Sequence, residues 1–500
     1  EGTLYETMNI ISKWQIPLLI VCENNFYAQS TPQSVNLAGD IRARAAAFGI
    51  TTFQGHTSNP EQLMADAKQA IEYVREHTKP CFFLVETFRL NPHSKGDDDR
   101  DAEEINSYRE KDFLHIFSKD FTAYYDNYLA AIHKEVDDMV NSILPEAEQA
   151  MDAYYQPSVS NSSNNWRPLE AINKRQVELL NNFFKLQLVD NDRMLFLGED
   201  ILSPYGGAFK VAKDLSLLAP AKVFSTPISE SAITGISNGL ALNGFKPFVE
   251  IMFGDFITLA FDQIVNHASK FHHIFNKKVT CPVVIRTPMG GKRGYGPTHS
   301  QTLDKFLVGI DNIKTIAINT FFDPAIVYES ILAEQHPVIV IENKTDYGKK
   351  ILHYQATNFL YEINEALFPV VKIKPAVSVP SLTIVAYGGM ADIVNNILSD
   401  IFFETDLKPE LIVPSLISQL PLDIVIQSVG VTRRLLVIEE GSAFAGIGAE
   451  LIAQVTEQLD IKIRVKRISA YPVPIPSVKT LEHIVLPEKE RIIKEIKAHF

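Results

Sequence analysis

Short apolar runs, each cut off by a polar residue, recur along this chain and constrain its fold more than any other feature. They include "IPLLIVC" (16–22), "CFFLVETF" (81–88), "RMLFLGE" (193–199), "PFVEIMF" (247–253), "CPVVIRTP" (281–288), "KTIAIN" (314–319), "PVIVIE" (337–342) and "LTIVAYGGM" (382–390). Runs of this length read as buried parallel strands. Segments with helical spacing lie between them. One is expected to start at Asn59-Pro60, a cap followed by proline in the first turn, with Leu63, Met64, Ala67, Ala70, Ile71 and Val74 on one face. Another is "FDQIVNHASKFHHIF" (261–275). The alternation predicts an α/β chain of three α/β units with mostly parallel sheets.

A length of 500 residues exceeds what one core can organise. Three blocks emerge: residues 1–154, then 169–370, then 371–500. Residues 155–168, "YQPSVSNSSNNWRP", form a linker by composition. A net charge of −13 argues against a nucleic-acid or anionic-membrane binder. The apolar runs fall short of the ~20 residues of a membrane span. Cys22, Cys81 and Cys281 lie far apart in or beside strand-like runs, which fits buried thiols of a reducing compartment, cytoplasm or mitochondrial matrix. The chain starts "EGTLYETMN", without methionine, so no targeting segment can be read from it.

In an open α/β sheet, ligands bind beyond the carboxyl ends of the strands, and several polar residues stand at such ends. Asn25 and Tyr27 follow "IPLLIVC". Oxygen donors there suit a hard cation that shares phosphate, whereas the plainer alternative is an Asx-turn ending the strand. Glu230, in "TPISES", opens a helix rich in small residues. It is either a carboxylate favoured by the helix dipole or a functional acid. His299 ends the glycine-rich loop "TPMGGKRGYGPTHSQT", a better place for catalysis than most histidines occupy. His93 and Ser94 precede the acidic run "KGDDDR", which reads as a solvated loop or, alternatively, a mobile lid. "GIGAE" (446–450) lacks the third glycine of a dinucleotide loop and is discounted.

Taken in order, these segments resemble the thiamine-diphosphate-dependent 2-oxo acid dehydrogenases, the decarboxylating first component of the pyruvate and branched-chain complexes. "EGTLYETMN", "IPLLIVCENNFYAQST" and "HSKGDDDR" are similar to the second half of that family's α subunit. "LGEDI", "GGAF", "TPISES", "FVEIMFGDF", "DQIVNHASK", "PVVIRTPMGG", "GPTHSQ" and "VIEE" are similar to a complete β subunit. The resemblance therefore implies fused α and β parts: a diphosphate-binding half-domain, a pyrimidine-binding domain and a transketolase C-terminal-like domain.

It also implies roles. Glu230 would hydrogen-bond the pyrimidine ring of thiamine diphosphate, with Glu199 of "LGED" a second acid near that ring and Met252 and Phe256 the apolar wall it stacks on. His299 would face substrate and His93 would sit on the ordering loop; either would steer protons or help receive the lipoyl group. Asn25 and the Tyr27 carbonyl would bind Mg²⁺. The family's Gly-Asp-Gly, which adds an aspartate to that metal, belongs just before Glu1 and is absent from the sequence. On this count the 500 residues alone are expected to bind Mg²⁺–thiamine diphosphate weakly. Ser94 stands where some relatives are phosphorylated. The implied partners are a 2-oxo acid (pyruvate or a branched-chain acid such as 2-oxoisovalerate), a lipoylated dihydrolipoyl acyltransferase and a second copy of the fused chain. Transketolase-like ketol transfer and a non-catalytic assembly module are the competing readings.

Overall fold

The computed structural model describes residues 2–94, 98–142, 161 and 163–500. It divides into two compact units, Glu1–Ser158 and Val159–Phe500.

The first unit is built on three parallel strands, β1 (Leu19–Asn24), β2 (Thr51–His56) and β3 (Cys81–Glu86), in the order β1-β3-β2. Successive side chains of the central strand leave on opposite faces. Phe82 and Leu84 pack with Met8, Ile11, Ala45 and Ile50 on one side, and Cys81, Phe83 and Val85 with Ala70 on the other. Both faces are covered, and this is why "CFFLV" is continuously apolar. The helix Pro60–His77 starts as expected: the Asn59 side chain accepts the Gln62 amide at 3.1 Å, with Pro60 in the first turn. The stretch after the acidic run "KGDDDR" predicts helices to about residue 153. The last described one ends at Val140, and residues 143–153 lie outside the described ones.

The second unit contributes β4 (Trp166–Pro168), β5 (Ile172–Arg175), β6 (Met194–Gly198), β7 (Val223–Ser225), β8 (Lys246–Glu250), β9 (Val284–Met289), β10 (Lys314–Ala317) and β11 (Val338–Asn343). After these come β12 (Lys350–Ile351), β13 (Phe359–Asn364), β14 (Val370–Pro375), β15 (Leu382–Ala386), β16 (Pro409–Pro414), β17 (Arg434–Ser442) and β18 (Arg464–Ala470). Six form a parallel sheet in the order β10-β11-β9-β8-β6-β7, and seven a mixed sheet in the order β18-β17-β15-β16-β14-β13-β4. One apolar cluster runs from Phe184, Phe196 and Phe248 to Ile384, Leu411 and Ile492. That shared core makes one compact unit of two predicted blocks.

Three expectations change. Trp166–Pro168, placed in the linker, is a strand that pairs antiparallel with β13; residues 155–160 and 162 of that linker lie outside the described ones. The boundary at 370/371 moves upstream, because β13 and β14 pair with each other and β14 with β16 of the last sheet. The helix expected over 261–275 is broken into a π-turn, Gln263–Ala268, and a short helix, Phe271–Ile274. There the Asn238 amide takes the Gln263 carbonyl at 2.9 Å, and a side chain inserted on a helix carbonyl widens the local turn.

Buried charge is concentrated in the second unit. Arg286, 1% exposed, lies opposite Glu250 on the neighbouring strand and pairs with both Glu250 and Glu342. The Tyr347 hydroxyl donates to Glu342 at 2.5 Å, and Tyr328 donates to the same carboxylate. The second glycine of "GGAF" serves this cluster. A Cβ on Gly207, whose φ is +78°, would stand 2.6 Å from a Glu250 oxygen. "GIGAE" has a similar explanation, since a Cβ on Gly446 would meet the Glu439 carboxylate at 2.6 Å.

Burial lifts the Glu439 carboxyl to about 7, against hydrogen bonds from the Gly448 amide and the Ser469 hydroxyl. A raised folded pKa means that the ionised form costs stability fully above pH 7 and not at all below the unfolded value of about 4.3. Glu439→Gln is therefore expected to gain on the wild type as pH rises from 5 to 8, by on the order of 2 kcal/mol. Melting curves across that range check it, and a pH-independent difference would count against it.

Candidate active site

All six strands of the parallel sheet end at one edge, and the residues singled out from the sequence follow those ends. Glu199 comes directly after β6, Glu230 shortly after β7, Met252 after β8, and the glycine loop that closes on His299 after β9. The order β8-β6-β7, all parallel, puts the reversal of strand order beside β6, where such sheets open a crevice.

Glu199 and Glu230 are brought together. Both are buried, at 8% and 7% exposure, and the Ser229 amide donates to a Glu199 oxygen at 2.9 Å. Glu230 then begins the helix Glu230–Leu242, where the N-terminal end of the dipole favours an anion. That helix packs on the 3₁₀ turn Gly254–Ala260, which carries Phe256. Met252 and Phe256 are both half-buried. The His299 ring meets Phe256 edge-on with centroids 5.2 Å apart, and Phe253 at 4.9 Å. The Thr298 hydroxyl lies 3.0 Å from His299 Nδ1.

Several residues that sequence reasoning passed over hold this arrangement. Asp255, 7% exposed, accepts from the Gln301 side chain at 2.8 Å, and its Oδ2 is a buried acceptor without a hydrogen-bond partner in the structure. Lys344 is fully buried and donates to the Gly290 carbonyl at 3.0 Å and the His299 carbonyl at 2.6 Å. Glu440 accepts the Gly291 amide at 2.6 Å, and Glu482 accepts the Lys292 amide at 2.7 Å. The C-terminal block, residues 371–500, thus grips the histidine loop. The one sequence signal was "VIEE", which contains Glu440.

The remaining expected residues stand at the carboxyl edge of the first unit's sheet. Asn25 forms the Asx-turn considered above: its Oδ1 accepts the Tyr27 amide at 3.0 Å, and the Tyr27 hydroxyl donates to Glu104 at 2.6 Å. An amide oxygen has two lone pairs, so this bond still leaves one for a cation. Among the described residues no cluster of three or more His, Cys, Asp or Glu side chains could hold a metal. His93 is exposed, with Nδ1 3.4 Å from the Ser94 hydroxyl, to which the Gln29 amide donates at 3.0 Å.

The acidic run is not simply solvated. Arg100, its side chain 1% exposed, lies over the rings of Tyr27 and Phe88 and pairs with Asp98 at 2.7 Å. That hydrogen bond holds the Asp98 carboxyl down at about 2. Lys95, Gly96 and Asp97 of the same run lie outside the described residues. A pocket of about 290 Å³, lined by Met8, Cys22, Asn24 and Tyr27 among others, opens beside this corner.

Three family models match the chain: the one described as Dehydrogenase E1 component over residues 1–158, that of the transketolase pyrimidine binding domain over 177–350, and that of the transketolase C-terminal domain over 372–492. Over 306 residues the chain is 35% identical to the pyruvate dehydrogenase E1 component subunit beta of Porphyra purpurea, covering 60% of this chain and 89% of that one. Over 327 residues it is 31% identical to the subunit of the same description from Rickettsia bellii, covering 64% and 96%. Among solved structures, a transketolase from Campylobacter jejuni superposes with a TM-score of 0.65 at 12% identity, covering 100% of this chain and 75% of that one. At that identity the likeness is one of fold, and the fold is transketolase-like. Among the described residues no helix is long and apolar enough to cross a membrane.

Proposed function

Since the chain belongs to the thiamine-diphosphate-dependent 2-oxo acid dehydrogenase family, with the α-type and β-type parts of the E1 component in one polypeptide, we propose that it decarboxylates a small 2-oxo acid and passes the acyl group to the lipoyl group of a dihydrolipoyl acyltransferase. One observation carries the reading. A single sheet edge gathers two buried carboxylates held together through the Ser229 amide, and a histidine set edge-on against Phe253 and Phe256.

The donor set fits the cofactor. A buried carboxylate beside an apolar wall suits a flat heteroaromatic ring, whose edge would meet Glu230 and whose face would rest on Met252 and Phe256. Glu199, held by the Ser229 amide, would stand near the same ring. The side-chain oxygen of Asn25 and the Tyr27 carbonyl are ligands of the type Mg²⁺ takes while sharing phosphate oxygens. When bound, thiamine diphosphate supplies the electron sink that lets CO₂ leave.

The chain's own residues would then manage protons and water. Glu230 would hold and return a proton at the ring edge, which a buried, ionisable carboxylate can do and an amide cannot. With Nδ1 of His299 beside the Thr298 hydroxyl, Nε2 is the nitrogen assigned to the substrate. Phe253 and Phe256 would exclude water around it. His93, on the loop after β3, is assigned to substrate or lipoyl handling.

Turnover of pyruvate and branched-chain 2-oxo acids with an artificial electron acceptor, followed by acylation of a lipoylated carrier, tests the proposal. No turnover with any of them would defeat it. Within the same assay His299→Ala is expected to lower turnover by about 10²-fold while the cofactor's Kd changes little, because the metal, diphosphate and ring contacts are assigned to other side chains. A large rise in that Kd with normal turnover would remove His299 from its role.

A further inference from the structure

We propose that Lys344 is the positioning residue for His299: its buried side chain ties both ends of the glycine loop to one point and so sets where the imidazole stands. The inference rests on the role given to His299 above.

Lys344 directly follows β11, and its own amide donates to the Met289 carbonyl at 3.0 Å, at the end of β9 where the loop departs. Its side chain turns under that loop. Gly290 is the loop's first residue and His299 its last, and Nζ donates to the carbonyls of both. The same ammonium lies 5.3 Å from the centre of the Phe253 ring, which is the ring that meets His299 at 4.9 Å. Lys344 thus holds the backbone of His299 and the aromatic wall behind it. The loop's amides are held by charge of the other sign, Gly291 by Glu440 and Lys292 and Gly294 by Glu482.

Charged and titratable groups face the ammonium from every side: Asp255 on the 3₁₀ turn, Glu440 on β17, Glu482 on the helix Lys479–Val485, and Arg293 and His299 on the loop. Burial works against the charge and brings the Lys344 pKa down to about 8, with the three carboxylates opposing that shift and Arg293 adding to it. A charge-assisted hydrogen bond is roughly twice as strong as a neutral one. The tie is therefore tightest below pH 8 and slackens as the pH rises through that value.

The test uses the full chain as wild type, Lys344→Met, His299→Ala and the double variant. Trypsin cleavage after the exposed Arg293 reports on the loop without reference to activity. Lys344→Met is expected to speed that cleavage and to lower kcat, each by about tenfold or more, because two carbonyls lose a charged donor. Wild-type cleavage, corrected for trypsin's own pH dependence, should rise from pH 7 to 9, and that of Lys344→Met should stay level. If Lys344 acts through His299, the double variant will be no slower than His299→Ala within about twofold, since effects of coupled residues do not add. Equal cleavage in wild type and Lys344→Met, or losses that multiply in the double variant, would overturn the proposal. Should Lys344→Met fail to fold, Lys344→Arg keeps the charge but moves the donors, and wild-type values for both readouts would overturn it equally. A wild type without 2-oxo acid turnover defeats the functional reading, while the cleavage comparison still decides the tie.

Discussion

Glu230→Gln is expected to lower 2-oxo acid turnover by about 10²–10⁴-fold, the range typical of a lost proton-transfer group, while leaving the second unit folded. The substitution keeps the volume and one acceptor oxygen, turns the other acceptor into an amide donor, and removes the ability to ionise. The Thr234 hydroxyl bonds the backbone carbonyl of Glu230 at 2.8 Å, and the Ser229 amide is held by Glu199. The helix that follows is anchored by Ile233 and Ala241 in the core. Melting temperature should therefore change little, since these backbone and core anchors are kept. Turnover at saturating cofactor and magnesium, measured beside a melting curve, decides the matter. More than about a tenth of wild-type turnover would take Glu230 out of the chemistry.

Arg286→Met should have the largest effect on stability, a loss of about 3–5 kcal/mol. The guanidinium is fully enclosed and sits between Glu250 and Glu342, with the Tyr347 hydroxyl 3.2 Å from it. Burial already pushes the Glu250 carboxyl upward, with Arg286 pulling the other way. Without Arg286 both acids remain in the interior with no cation between them, and at least one must take up a proton. The deficit should be greatest above neutral pH and shrink toward pH 5, because a carboxyl with a raised folded pKa loses its ionisation cost as it protonates. Adding Glu250→Gln to the variant should recover part of the loss. A change below about 1 kcal/mol in chemical denaturation would mean that the buried pair contributes little beyond packing.

The sequence by itself determined the elements and the edge on which they place chemistry. Each apolar run became a strand, because continuous burial on both faces leaves no polar alternation to read otherwise, as "CFFLV" and "LTIVA" show. The carboxyl ends of those runs carry Asn25, Glu199 and Met252, and parallel pairing places the ends of one sheet together. Asn59-Pro60 marked a helix start because capping is a contact between near neighbours. Tertiary structure alone decided what holds these residues still. In "VIENKTD", Lys344 looks like any polar residue leaving a strand, yet it is buried beneath carbonyls 54 and 45 residues earlier in the chain. Arg100 closes a run that reads as solvated, yet it lies over two rings. Trp166–Pro168 has a linker's neighbours and pairs with a strand nearly two hundred residues away. Periodicity records how one segment meets its own backbone and a single apolar face. Which charges become enclosed depends on segments that only the folded chain brings within hydrogen-bond distance.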